Sequence, residues 1–154
     1  MPLDQYVYFA LSSARTTAQE MTAALGVQPD ETKVRGSRIA QPAIPGCHAW
    51  KIVCREPGLR VDEQIGLLLD RLRPHTDRIA SLARRLEDEE PGSGRAATLQ
   101  VVRYFRGADE PSQGGPMPAD ATPNLFGWHL GQEVLDFLAA TGAALDVDEY
   151  DLTG

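Results

Sequence analysis

The chain has 154 residues, of which 42% are hydrophobic and 24% charged. This length and composition predict one folded domain, residues 1–154, and exclude a disordered chain. The net charge of −7 opposes the phosphate contacts on which nucleic-acid binding depends. No apolar run approaches the roughly 20 residues that span a bilayer. We therefore expect a protein that binds neither nucleic acid nor membranes.

The cellular compartment is predicted from the first residues and from the cysteines. Residues 1–5 lack the basic and apolar regions of a secretory signal. Cys47 and Cys54 are too few for a disulfide framework and suit a reducing compartment. With His48 they supply three of the four ligands that a structural zinc needs. We expect a cytoplasmic protein with no metal and no cofactor.

The chain opens with a predicted strand followed by a predicted helix. Residues 5–13 combine aromatic and β-branched side chains, which favours a largely buried strand. Thr17, with Glu20 three residues later, predicts a capping box at the start of a helix. Gly26 is placed to end that helix in the left-handed conformation.

Two further strands are predicted before the middle of the chain. Residues 32–39 predict a short edge strand between segments rich in Pro and Gly. Residues 48–55 predict a strand that carries Trp50 and Ile52 on one face.

Two apolar stripes at helical spacing predict a long helix that is broken at Pro74. Asp62 is the predicted N-cap of the first part. The acidic run 87–90 should fray the end of the second part into a mobile loop, because negative charge is unfavourable at a helix C-terminus. The stripes consist of Ile65, Leu68, Leu69 and Leu72, and of Ile79, Leu82, Ala83 and Leu86.

The C-terminal part again mixes strands with a helix. Residues 97–105 and 125–130 predict strands, and a flexible loop over 107–124 separates them. A helix ending at Gly142 and a final strand over 144–151 complete the pattern.

This order of elements predicts an α+β fold with helices packed on a mixed or mainly antiparallel sheet. The strand and helix that end at Leu25 and Gly26 echo the strand and helix that end at Thr141 and Gly142. Such an echo would fit two related, ferredoxin-like βαβ halves.

The sequence offers candidate contact residues but no catalytic signature. Strand alternation would place Asp146, Asp148 and Tyr150 on one face, where they either bind a hard cation or protect an edge strand. His129 is a candidate general base beside these carboxylates. Trp50 and Trp128 are candidates for lining a small-ligand pocket between sheet and helices.

Several short motifs, taken together, resemble a bacterial family called domain of unknown function 4279. They are Tyr6-Val7-Tyr8-Phe9, Leu25-Gly26-Val27-Gln28-Pro29, Gly36, Trp50 and Leu145-Asp146-Val147-Asp148-Glu149-Tyr150. The resemblance covers nearly the whole chain, although Glu149 stands where an apolar residue is expected. It implies an α+β fold and carries over no activity.

Two classes of function follow as expectations. The first is a non-enzymatic module that binds a protein partner, since the chain is acidic and no catalytic motif is evident. An immunity-type inhibitor of a secreted toxin is one version, by association with small bacterial α+β families. The alternative is a metal-dependent hydrolase or a small-ligand-binding protein that uses the acidic final strand.

Overall fold

The computed structural model describes residues 3–107 and 126–154. Its strands are β1 (Leu3–Ser13), β2 (Glu31–Lys33), β3 (His48–Cys54), β4 (Ala97–Arg106) and β5 (Ala144–Leu152). Its α-helices are α1 (Ala18–Leu25), α2 (Val61–Leu72), α3 (Thr76–Glu89) and α4 (Gln132–Thr141). A 3₁₀ segment, Arg73–His75, joins α2 to α3 and contains the proline that was predicted to break the helix.

The five strands form one mixed sheet in the order β2-β3-β1-β4-β5. All neighbouring strands are antiparallel except β4 and β5, which are parallel and are connected through α4. The predicted α+β fold is therefore confirmed. The two halves compared above share left-handed glycines at their helix ends, Gly26 and Gly142. They differ in strand direction, because β1 and β3 are antiparallel whereas β4 and β5 are parallel.

The hydrophobic core lies between one face of the sheet and the helices. Val7, Phe9 and Leu11 of β1 are fully buried in it, and so are Trp50 and Ile52 of β3. Both predicted apolar stripes of α2 and α3 belong to the same core, because their spacing keeps every member on one side of its helix.

The N-termini of α1 and α2 are capped in different ways. At α1 the predicted capping box is confirmed: the Glu20 backbone N–H donates to Thr17 Oγ1 at 3.2 Å, and the Thr17 N–H donates to a Glu20 carboxylate oxygen at 2.7 Å. The prediction of Asp62 as the N-cap is wrong, because α2 begins at Val61 and its N-cap is Arg60. The Asp62 carboxylate accepts bonds from the Arg60 guanidinium, which leaves Asp62 in the first helical turn.

The acidic end of α3 does not fray as predicted, since the helix continues to Glu89. Glu89 accepts a hydrogen bond from the Thr16 hydroxyl at 2.8 Å, and Glu90 accepts one from the Ala14 backbone N–H at 2.9 Å. These carboxylates therefore hold the β1–α1 connection against the end of α3.

The edge strand predicted over residues 32–39 is shorter than expected. β2 has three residues, and beyond it only a single bridge joins Ile39 to Ile44. Glycine is needed in this connection at Gly36, where the backbone is left-handed with φ of 72°.

The strand predicted over 125–130 is wrong for residues 126–130, which have no strand pairing. Trp128 and Leu130 pack against the core at the approach to α4, so their alternation reflects this packing and not a sheet. The loop predicted over 107–124 lies outside the described residues except for Gly107. None of the helices in the described ranges combines the length and apolar character needed to cross a bilayer.

Candidate functional site

The two faces of the sheet have different coverings. Side chains from α1, α2, α3 and α4 share one core with Val7, Phe9 and Leu11, so these helices lie on that face. The alternate residues of β1 point to the opposite face, which no helix of the described ranges covers. We call this the open face; its polar and aromatic residues include Tyr6, Tyr8, Lys51, Gln100, Tyr104, Asp146, Asp148 and Tyr150.

All four tyrosines of the chain lie on the open face. Tyr6 and Tyr8 stack with ring centroids 6.2 Å apart, and Tyr104 and Tyr150 stack at 5.0 Å. Each ring is partly exposed. Stacking restricts the rings, so they present a preformed surface with apolar faces and hydroxyl groups.

Opposite charges flank the tyrosines along the sheet. On the β3 side, Lys51 Nζ lies 4.1 Å from the centre of the Tyr8 ring, and the Arg55 guanidinium lies 4.2 Å from that of Tyr6. On the β5 side stand Asp146 and Asp148. The β5 side of the open face is therefore acidic, whereas on the β3 side the cations stand beside Glu31 of β2, which lies opposite Lys51 and accepts a hydrogen bond from Arg55 at 2.8 Å.

Burial and neighbouring charge shift the protonation equilibria of this face. Burial raises the pKa of Tyr8, and Tyr6, Asp148 and Asp146 raise it further. Burial, followed by the neighbouring Tyr104, also raises the pKa of Tyr6. Both hydroxyls are therefore protonated at neutral pH and act as hydrogen-bond donors rather than as ionised nucleophiles.

A cavity of about 300 Å³ adjoins the open face where β3 leaves β1. The β1–β3 pairing ends at Val7 and Cys54, so the first residues of β1 face the β3–α2 connection instead. The lining includes two open-face tyrosines, two arginines and a buried glutamine, namely Tyr6, Tyr104, Arg55, Arg106 and Gln64.

A polar network lies beside this cavity on the helix side, and its members Gln5, Glu56 and Gln64 line the cavity. Gln64 donates from Nε2 to the Gln5 carbonyl at 3.2 Å and to the Glu56 carbonyl at 3.0 Å. Arg103, only 4% exposed, donates to Gln5 Oε1 and to Glu149 Oε1, each at 3.1 Å. Glu149 thus replaces the expected apolar residue with a carboxylate that compensates a buried guanidinium.

The structure separates the two predicted tryptophans from the open face. Trp50 is fully buried, and its Nε1 donates to the Val27 carbonyl at 3.3 Å. Trp128 is half-buried against the same core. Neither tryptophan lines the cavity next to the open face or the cavity beside His129.

The structure also separates His129 from the two aspartates. His129 Nδ1 lies 3.8 Å from Asp62 Oδ2 and 3.5 Å from Arg60 Nη2, beside a cavity of about 180 Å³ between α2 and α4. Asp146 and Asp148 lie on the other side of the sheet with Tyr150. Within residues 3–107 and 126–154, no three His, Cys, Asp or Glu side chains are grouped to hold a metal ion.

Sequence reasoning missed Tyr6, Tyr8, Tyr104 and Lys51 as site residues. The signal was present in the order Tyr-Val-Tyr-Phe, in which the tyrosines occupy alternate positions of one strand. Tyr104 could be placed beside this pair only once the strand order was known. β4 follows β1 by about a hundred residues in the chain but pairs with it directly, as the pairing of Tyr6 with Val102 shows.

Comparison with curated proteins and with solved structures gave no match. One family model matches almost the full length, residues 4–152. Its span includes every strand and helix described above apart from the first residue of β1. The chain therefore belongs to the family described as Domain of unknown function (DUF4279).

Proposed function

We propose that this chain is a non-enzymatic module that binds a protein partner through the open face of its sheet. The observation that carries this proposal is the pair of tyrosine stacks on a face that no helix of the described ranges covers. Tyrosine is enriched at protein interfaces, since it offers a large amphipathic contact area and loses little conformational entropy on binding.

The charge distribution supports a protein partner over a nucleic acid. Aromatic rings and cations on a sheet also occur where proteins bind single-stranded RNA. Here Lys51 and Arg55 share their face with the carboxylates of Glu31, Asp146 and Asp148, and the whole chain carries a net charge of −7. A protein surface that carries both signs of charge can meet these groups, whereas the phosphates of a nucleic acid would be repelled by the carboxylates.

An immunity-type toxin inhibitor is the narrower version of this proposal. An inhibitor of that kind needs a preformed surface and no chemistry of its own. The stacked rings and the cation–π contacts of Lys51 and Arg55 meet the first requirement. This version predicts that co-expression of the chain protects cells from the toxin it binds.

The proposal is tested with a double variant of the open face, Tyr8→Ala with Tyr150→Ala. Partners captured from a native lysate are purified, and their dissociation constants are measured by calorimetry against the wild-type chain and the variant. Loss of these two interface tyrosines should raise the dissociation constant of a genuine partner by at least about 30-fold, corresponding to about 2 kcal/mol.

A matched control replaces two exposed side chains of the helices, Leu67→Ala with Leu135→Ala; each of these leucines is 45% exposed. It should bind the partner as the wild type does. Equal weakening by both double variants would contradict the proposal. So would binding of single-stranded RNA by the open face in place of any protein.

A second candidate is binding of a small molecule in the cavity of about 300 Å³, a volume at the lower end of ligand pockets. The observation that favours it is the convergence of Tyr6, Tyr104 and the buried Gln64 on one concave space. Ligand-observed NMR with a fragment library tests it. Tyr104→Ala should abolish the signal of a bound fragment, whereas Leu135→Ala, an exposed position on α4 outside the lining, should leave it unchanged.

A further inference from the structure

The outer edge of β5 differs from the opposite edge of the sheet. β5 has nine residues and pairs only with β4, and no strand of the described ranges lies on its other side. β2, at the far edge, has three residues. A long outer strand leaves a row of backbone N–H and C=O groups unpaired and open to another strand.

In the part of the chain that the structure describes, negative charge is the feature of β5 that protects this edge. Within β5 there is no proline, glycine, lysine or arginine, and four of the nine residues are acidic. Pairing with a second copy of β5 would bring like charges together, which disfavours self-association. A partner strand with cations at the positions beside these carboxylates would be attracted to them.

The two faces of β5 call for different side chains in an added strand. On the open face Asp146 and Asp148 alternate, and Asp148 is also bonded to Gln100 at 3.0 Å. On the helix side Leu145 and Val147 alternate between them, each 38% exposed. Opposite residues 145–148 the matching strand therefore has basic residues at every second position and apolar residues between them, whereas Glu149 and Asp151 on the helix side and Tyr150 on the open face reverse this pattern over 149–151.

We propose that the edge of β5 binds an extended segment of the partner protein as a sixth strand of the sheet, with basic residues beside Asp146 and Asp148 and apolar residues beside Leu145 and Val147. This inference rests on the proposed function and deepens it, because Tyr150 places the edge next to the open face. Backbone hydrogen bonds would supply the pairing, and the alternation of side chains would supply the selectivity.

The probe is a capped eight-residue peptide in which lysine and valine alternate. Two control peptides separate the sources of binding: one has glutamate in place of lysine, and the other is N-methylated at alternate residues. Dissociation constants are measured by calorimetry, and amide hydrogen exchange of the chain is followed by NMR. We expect the lysine peptide to bind and to slow exchange at alternate amides of β5, whose N–H groups point outward.

Loss of alternate peptide N–H groups should weaken binding by at least about tenfold, because each strand–strand hydrogen bond needs its donor. Asp146→Lys should weaken binding by about fivefold or more. The control Asp88→Lys reverses an exposed carboxylate on α3 and should leave binding unchanged. Equal binding of the N-methylated or the glutamate peptide would overturn the inference. So would slowed β5 exchange in the chain alone at rising concentration, which would show pairing with a second copy.

This experiment separates the inference from the proposed function. If the lysine peptide fails to bind while the Tyr8 and Tyr150 variant still loses its partner, the edge inference falls and the protein-binding function stands. If the peptide binds and that variant keeps its partner unchanged, the open face is excluded as the contact surface and the edge remains.

Discussion

The two faces of β1 are built from neighbouring residues and have opposite characters. Phe9 is fully buried and contacts the Phe137 ring edge-on at 5.4 Å, whereas Tyr8 is half-buried beside Lys51. One strand thus supplies the core on one side and a polar, aromatic surface on the other. The difference teaches that adjacent positions of this strand have different roles: stability depends on one set, and under the proposed function contact with a partner depends on the other.

The largest expected loss of stability comes from a substitution on the buried face of β1. Phe9→Ala should lower the free energy of unfolding by about 3–5 kcal/mol, because it leaves a cavity between β1 and α4. Urea denaturation followed by circular dichroism measures the change. A loss below about 1 kcal/mol would mean that the helix side of β1 is not the core.

The next largest loss of stability is expected in α2, which packs on the buried face of β1. Leu69 of α2 is 2% exposed within the predicted leucine stripe. Leu69→Ala should cost about 2–5 kcal/mol in the same measurement. Leu67→Ala, two residues away and 45% exposed, is the matched control and should change stability by less than about 0.5 kcal/mol.

The open face should tolerate substitution. Tyr8→Ala should cost about 1 kcal/mol, since the variant loses the contact with Lys51 and part of a stack but opens no enclosed cavity. The comparison between faces fails if this loss equals that of Phe9→Ala. Thermal unfolding of the two variants, purified side by side, gives the answer directly.

The smallest effect concerns alkaline pH. The pKa values of Tyr6 and Tyr8 are raised above the usual 10 in the folded chain, chiefly by burial. Above pH 10 the unfolded state loses these protons first, so it binds fewer protons than the native state and stability falls as pH rises. Tyr8→Phe should show a shallower fall between pH 10 and 11.5 in urea titrations. An identical slope in the two proteins would contradict the assignment.

Much of the fold was predictable because its signals are local. The capping box of Thr17 and Glu20 and the two apolar stripes depend on spacing within one helix, and the structure confirms them. The prediction failed where a local pattern had a tertiary cause. Trp128 and Leu130 alternate because they approach the core before α4, and Glu89 and Glu90 extend α3 because Thr16 and Ala14 donate to them.

The candidate site was less predictable, because it depends on strand order. Asp148 and Tyr150 do share one face, as the alternation predicted. Their neighbours Gln100 and Tyr104 come from β4, and no local pattern specifies which strand lies beside the last one. His129 was grouped with the aspartates by sequence proximity, which says nothing about the side of the sheet.

The central place of β1 in the sheet has a consequence for how the chain folds. Both neighbours of β1 lie far along the sequence, and the bond from Arg103 to Gln5 spans 98 residues. Closing loops of this size lowers the conformational entropy of the chain before the stabilising contacts between strands form. The sheet therefore belongs to the slower-folding topologies. The edge of β1 that pairs with β4 therefore stays without its partner until β4 has been made, although α1, α2 and α3, which cover the apolar face of β1, precede β4 in the chain.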